Sequence, residues 1–163
     1  MKIKSIFICI CMGLLLANCG GKKIQAFNLK GNVSAVNVVV SDTTVAADRR
    51  AAIQNYKVVS RLQNGVTELL KKQGKYAADG TVQLEVEITD FRLRSGASAF
   101  FLGAAAGGDF TAVDVTVIES GADSHHFSTS ASTARGGAFA ASPTHRVNAV
   151  SVAVSKRIVA KLY

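Results

Sequence analysis

The sequence predicts an α+β fold: a two-layer sandwich whose four-stranded mixed sheet, a parallel pair plus an antiparallel meander, carries two helices on one face. Three observations lead to it. Apolar and polar residues alternate in three stretches, apolar residues recur at steps of three and four in two others, and the order is strand, helix, three strands, helix.

The first strand is NVSAVNVVVS. Val36, Val38 and Val40 share one side and Val39 begins to fill the other, which predicts an inner strand. After the turn-like SDTT, Ile53, Tyr56, Val59, Leu62, Val66, Leu69 and Leu70 form the apolar stripe of one helix. Gly74 suits its C-terminal cap. In TVQLEVEITDFRLR, Val82, Leu84, Val86 and Ile88 occupy one face and Gln83, Glu85, Glu87 and Thr89 the other. The phase slips before Phe91 and Leu93, so one extra residue, a bulge, is expected near Asp90. FTAVDVTVIES alternates again, and Gly121, Ala122 and Asp123 turn it into SHHFSTSASTA as a hairpin. Ser142 and Pro143 suit the N-cap and first position of a closing helix that buries Val147, Val150, Val154, Ile158 and Leu162. The first helix is a crossover, so strands one and two can lie parallel with the usual right hand.

The N-terminus carries a different signal. Lys2 and Lys4 precede an apolar run from Ile6 to Ala17, closed by Asn18 and Cys19. Twelve residues fall short of the roughly 20 that a membrane span needs, and the three zones are those of a secretory signal. Leu16-Ala17-Asn18-Cys19 resembles the lipobox of bacterial lipoproteins. The resemblance implies cleavage before Cys19, a diacylglyceryl group on its thiol and an acyl chain on its amine. Cys9 and Cys11 would leave with the signal, so Cys19 would be the sole remaining cysteine, with no intrachain disulfide to form. Several acyl chains on one residue make a stable anchor. Gly20 stands where an aspartate is associated with inner-membrane retention, which implies the outer membrane of a Gram-negative cell. The expected organisation is a signal peptide over residues 1–18, a lipidated cysteine and flexible tether over 19–31, and a single periplasmic α+β domain over 32–163. Losing Lys2 and Lys4 takes the net charge from +8 to +6. Secretion argues against nucleic acid as the partner of a basic chain. Lys71, Lys72, Lys156, Arg157 and Lys161 sit near helix C-termini, where cations complement the dipole.

No catalytic constellation emerges, and no enzyme, metal or cofactor is expected. His125 and His126 are adjacent on a strand and point to opposite faces. Glu85 and Glu87 share a face about 6.8 Å apart, a spacing that overlaps glycosidase pairs, but their regular alternation fits a solvated sheet face. GAAAGGDF lacks the Gly-Lys-Ser/Thr of a phosphate loop, and no nucleophile elbow surrounds any serine.

Two connections stand out by composition: SGASAFFLGAAAGGD, Ser95 to Asp109, and GGAFAAS, Gly136 to Ser142. In a meander both leave from one end of the sheet. The expected partner-contact residues are therefore Phe100, Phe101, Leu102 and Phe139, flanked by Arg92, Arg94 and Arg135, with Arg146, Arg49 and Arg50 brought to the same region. The same aromatics could equally fold back to cap the core.

This series of lipobox, strand and helix, VQLEVEITDFRLR, glycine-rich apolar loop, FTAVDVTVIES, hairpin and closing helix is similar to uncharacterised Gram-negative outer-membrane lipoprotein domains. It also resembles small envelope-assembly lipoproteins and the soluble domain of curli-type secretion subunits. The resemblance implies a lipid-anchored, non-enzymatic accessory, attached to the outer membrane through acylated Cys19, that docks on an envelope protein complex. Self-association is left open. The alternative expectation is a small-ligand or cell-wall-binding module using Gln83, Glu85, Glu87 and Thr89.

Overall fold

The computed structural model describes residues 26–95, 108–120, 124–133 and 142–163. Their elements are β1 (Val33–Val40), α1 (Ala47–Asn55), α2 (Val58–Lys72), β2 (Val82–Arg92), β3 (Asp109–Glu119), β4 (His125–Thr133) and α3 (Pro143–Leu162). The sheet order is β1-β2-β3-β4. β1 runs parallel to β2, and β2, β3 and β4 form the antiparallel meander. This is the expected mixed sheet, with three helices where the sequence predicted two.

The alternation of side chains decides which face the helices cover. Val82, Leu84, Val86 and Ile88 of β2 and Val113, Val115 and Val117 of β3 are buried, against Leu62, Val66 and Leu70 of α2 and Val150, Val154 and Ile158 of α3. Gln83, Glu85, Glu87 and Asp114 stay exposed on the other face. The phase slip in the sequence is a bulge: Ile88 pairs with Val113 and Asp90 with Ala112, so Thr89 has no partner of its own.

Two expectations are corrected. β1 is an edge strand rather than an inner one, and Val39 is 47% exposed. The long first helix is two. Lys57 adopts a left-handed conformation, φ 53 and ψ 40, between α1 and α2. Its amide bonds the Gln54 carbonyl, and Arg61 Nε donates to the Tyr56 carbonyl at 2.9 Å, so the interruption leaves those backbone groups satisfied. The break also resets the stripe: Val58, Leu62, Val66 and Leu70 are fully buried at four-residue steps, while Val59 and Leu69 are only partly covered. Gly74, at φ 66, ends α2 in the conformation that a glycine adopts without strain.

The N-terminal residues are not loose at the point where the domain begins. The Phe27 amide donates to the Lys161 carbonyl and the Leu29 amide to the Leu162 carbonyl, both at 2.8 Å. These are among the carbonyls that the end of α3 would otherwise leave without an intrahelical partner. Tyr163 Oη adds a bond to the Gly31 carbonyl at 3.0 Å. Burial, and then the charge of Glu119, push the Tyr163 phenol above its ordinary value, so the donating neutral form is the one the fold retains.

Gly65 explains how closely α2 and α3 approach. A Cβ there would lie 2.6 Å from Ser155 Oγ and 3.3 Å from Ser155 Cβ. A glycine in a helix interior costs about 1 kcal/mol relative to alanine, and close packing offsets it. Gly65→Leu is expected to destabilise the domain by about 1–3 kcal/mol in urea unfolding, with Ser155→Gly in the same chain restoring part of the loss.

Candidate functional site

Four elements converge on one carboxylate at the end of the sheet from which the two glycine-rich connections depart. Asp109 opens β3 and is buried, as are Arg94, two residues beyond β2, and Arg146, in the first turn of α3. Asp109 Oδ1 accepts from the Arg94 amide and from Arg146 Nη1, each at 2.9 Å. Oδ2 accepts from Arg146 Nη1 at 3.2 Å and from Arg94 Nη2 and Thr133 Oγ1 at 3.5 Å. Arg146 Nη2 closes the group by donating to the Arg94 carbonyl at 3.0 Å. The roots of segments 96–107 and 134–141 are thereby tied together: Arg94 and Asp109 flank the first, and Thr133 and Arg146 lie at either side of the second.

A guanidinium does not lose its proton inside a protein, so burying two of them requires acceptors. One carboxylate serves both, and one backbone carbonyl serves Arg146 as well. Arg146 Nε is buried without a hydrogen-bond partner among the described residues.

The arginines expected to ring this end divide. Arg92 is exposed and its Nε donates to the Gly108 carbonyl at 3.3 Å. Arg94 and Arg146 turn inward, so burial with Asp109 replaces the surface contact expected of them. Arg49 pairs with Asp90 at 2.5 Å, and Arg50 Nη1 donates to the Asp42 and Val45 carbonyls at 2.9 Å. Phe100, Phe101, Leu102, Arg135, Phe139 and Cys19 lie outside the described residues. Asp109 itself was not singled out from the sequence, although a signal existed. It stands in phase with Thr111, Val113, Val115 and Val117, the inward side of β3.

The uncovered face of the sheet is the second candidate. Across it run the rows Asn37, Glu85, Thr116, His126 and Val39, Glu87, Asp114, Ser128. His126 shares hydrogen bonds with Thr116 Oγ1 at 2.9 Å and Ser124 Oγ at 3.3 Å. Glu87, Asp114, Thr116, His126 and Ser128 line a shallow depression of about 380 Å³. His125 instead stacks near Phe27, with ring centroids 5.9 Å apart. Among the described residues no group of three His, Cys, Asp or Glu side chains is placed to hold a metal ion, and no helix is long and apolar enough to cross a membrane.

No family model and no curated protein matches the chain. Solved structures do. A protein from Xanthomonas campestris assigned to the domain-of-unknown-function family DUF330 aligns with a TM-score of 0.50 at 10% identity, over 86% of each chain. A lipoprotein, provisionally so assigned, from Caulobacter crescentus gives 0.46 at 14% identity, over 76% of this chain and 83% of that one. A PelC dodecamer from Paraburkholderia phytofirmans gives 0.43 at 12%, over 80% and 87%. At 10% identity the likeness to the Xanthomonas campestris protein is one of fold.

The buried cluster makes a quantitative demand. Asp109→Ala leaves the Arg94 and Arg146 guanidiniums without their carboxylate and is expected to cost about 3–5 kcal/mol in urea unfolding. Arg92→Ala, at an exposed neighbouring position, is expected to stay within about 0.5 kcal/mol of the parent.

Proposed function

We propose that this chain is an outer-membrane lipoprotein, acylated at Cys19, whose non-enzymatic periplasmic domain docks on an envelope protein complex that serves assembly, secretion or transport. The contact is made by the end of the sheet carrying segments 96–107 and 134–141. Phe100, Phe101, Leu102 and Phe139 supply apolar surface to bury, and Arg92 and Arg135 supply the polar rim. Arg94 serves from below, holding the root of the first segment through Asp109.

One observation carries this reading. The chain from the tether is bound at the Lys161 and Leu162 carbonyls, at one end of α3, while Arg146 holds the loop roots at the other. Fifteen residues separate Arg146 from Lys161, about 22 Å along a helix axis. A domain fastened by its tether end therefore offers its loop end to something other than the bilayer that anchors it. The lipobox and the single cysteine of the processed chain support the anchor itself.

A second reading, a small-ligand or cell-wall-binding module, is favoured by the depression on the open face, lined by Glu87, Asp114 and His126 together with Thr116 and Ser128.

Photo-crosslinkers placed singly at positions 92, 100, 139 and 85 in intact cells distinguish the two. The docking reading expects one recurrent envelope protein captured from 92, 100 and 139 and not from 85. Capture confined to position 85, or random neighbours from every position, would overturn it. Intact mass after membrane extraction tests the anchor separately, with an acylated chain beginning at Cys19 as the expected species.

A further inference from the structure

The tether end has a composition of its own. Phe27 is 40% exposed and lies against Phe127, with ring centroids 5.3 Å apart. Three lysines sit over aromatic rings there: Lys75 Nζ is 4.7 Å from the Tyr163 centroid, Lys161 Nζ 5.0 Å from that of Phe127, and Lys71 Nζ 5.6 Å from that of Tyr76. Lys30 and Lys72 are exposed beside them. The side-chain carboxylates described at this end are Glu68, Asp79 and Glu119, of which Glu68 is engaged by Lys71 at 3.3 Å. The open sheet face, by contrast, presents Glu85, Glu87 and Asp114.

Lysines interleaved with phenylalanine and tyrosine are what a bilayer interface selects. The rings settle at headgroup level and the ammonium groups reach lipid phosphates. The chain outside the described residues decides which end can reach that interface. From Cys19 to Ala26 there are eight residues, which fully extended span at most about 28 Å. α3 alone, 20 residues long, is about 30 Å. A short leash entering at Phe27 holds this end next to the acylated cysteine at high effective concentration, and Lys22 and Lys23 add positive charge along the way.

We infer that the Lys30, Lys72, Lys75, Phe27 and Phe127 face docks on the anionic phospholipid surface of the leaflet that carries the anchor. The inference rests on the lipoprotein reading for its biological setting. Its physical content is separate: this face binds anionic lipid without any acyl chain. Docking stands the domain on its tether end and turns the Asp109 end away from the bilayer.

The test uses the chain from residue 19 onward with Cys19→Ser, so that no acyl group contributes, and sedimentation with vesicles of phosphatidylglycerol and phosphatidylethanolamine, or of phosphatidylcholine alone. Binding to the anionic vesicles is expected at low salt, weakened at least about tenfold when the salt is raised from about 50 to about 300 mM. Lys30→Gln/Lys72→Gln/Lys75→Gln and Phe27→Ser are each expected to reduce it, with the thermal midpoint measured alongside. Lys30→Gln/Lys72→Gln, at exposed positions only, repeats the test should the triple variant unfold. Arg92→Gln, at the far end, is expected to bind as the parent does. Equal partition onto both vesicle types, no binding at low salt, or binding abolished by Lys22→Gln/Lys23→Gln alone would overturn the inference. An acylated Cys19 in cells together with no vesicle binding sinks this inference only. An unmodified Cys19 sinks the lipoprotein reading and leaves the vesicle result to stand.

Discussion

Asp109 accepts hydrogen bonds from groups that are 15, 24 and 37 residues away in the chain. The separations of 15 and 37 span the two glycine-rich connections, which the sheet and helices alone would leave unconstrained at their roots, while Thr133 is already the ladder partner of Asp109. A buried carboxylate with two buried guanidiniums is weak evidence for stability, because desolvation of the charges offsets most of their attraction. The apolar face of β2 and β3 against α2 and α3 supplies the stability. What the cluster adds is position: Arg94, Asp109 and Arg146 can satisfy one another only if the end of β2, the start of β3 and the first turn of α3 meet at one point. Two segments rich in glycine, alanine and phenylalanine then start from fixed bases.

The sheet has two edges and one open face, and the cations manage much of what these leave exposed. β4 is an edge strand, and its Ser128 and Ser130 carbonyls accept hydrogen bonds from Lys161 and Arg157, one helical turn apart on α3. These side chains cover the strand against pairing with another chain. Among the described residues β1, the other edge, is bridged only at Val33, by the chain passing Tyr76. On the open face Glu87 and Asp114 stand opposite one another in register. Like charges so placed are mildly unfavourable, and exposure to water is what makes the pair tolerable.

Period and phase carried most of the fold in the sequence. The alternation from Val82 to Ile88 gave the buried face, the slip before Phe91 gave the bulge, and Ser142 and Pro143 gave the start of α3, where Ser142 Oγ accepts from the His145 amide at 3.4 Å. Features that depend on contacts distant in sequence were not legible. The apolar stripe runs on through Tyr56 and Val59, so nothing local marks Lys57, whose left-handed backbone usually calls for glycine or asparagine. Arg94 and Arg146 are 52 residues apart, and charge alone suggested surface for both. Lys161 was assigned to the helix dipole, and it also bonds the β4 edge. The aromatic and lysine cluster at the tether end is assembled from Phe27, Tyr76, Phe127 and Tyr163, no two of which are near in sequence.

α3 joins the two ends of the molecule, and its own chemistry explains why it can. A helix begins with unpaired amides and finishes with unpaired carbonyls. Here Ser142 meets part of the first need, and Phe27 and Leu29 meet part of the second with main-chain amides. Because the incoming chain is bonded to the helix terminus itself, the course of residues 27–29 is coupled to the α3 axis rather than to a surface side chain. Arg146, on the same axis, is coupled to the loop roots through Asp109. The Phe27 end and the loop roots are therefore joined through one helix.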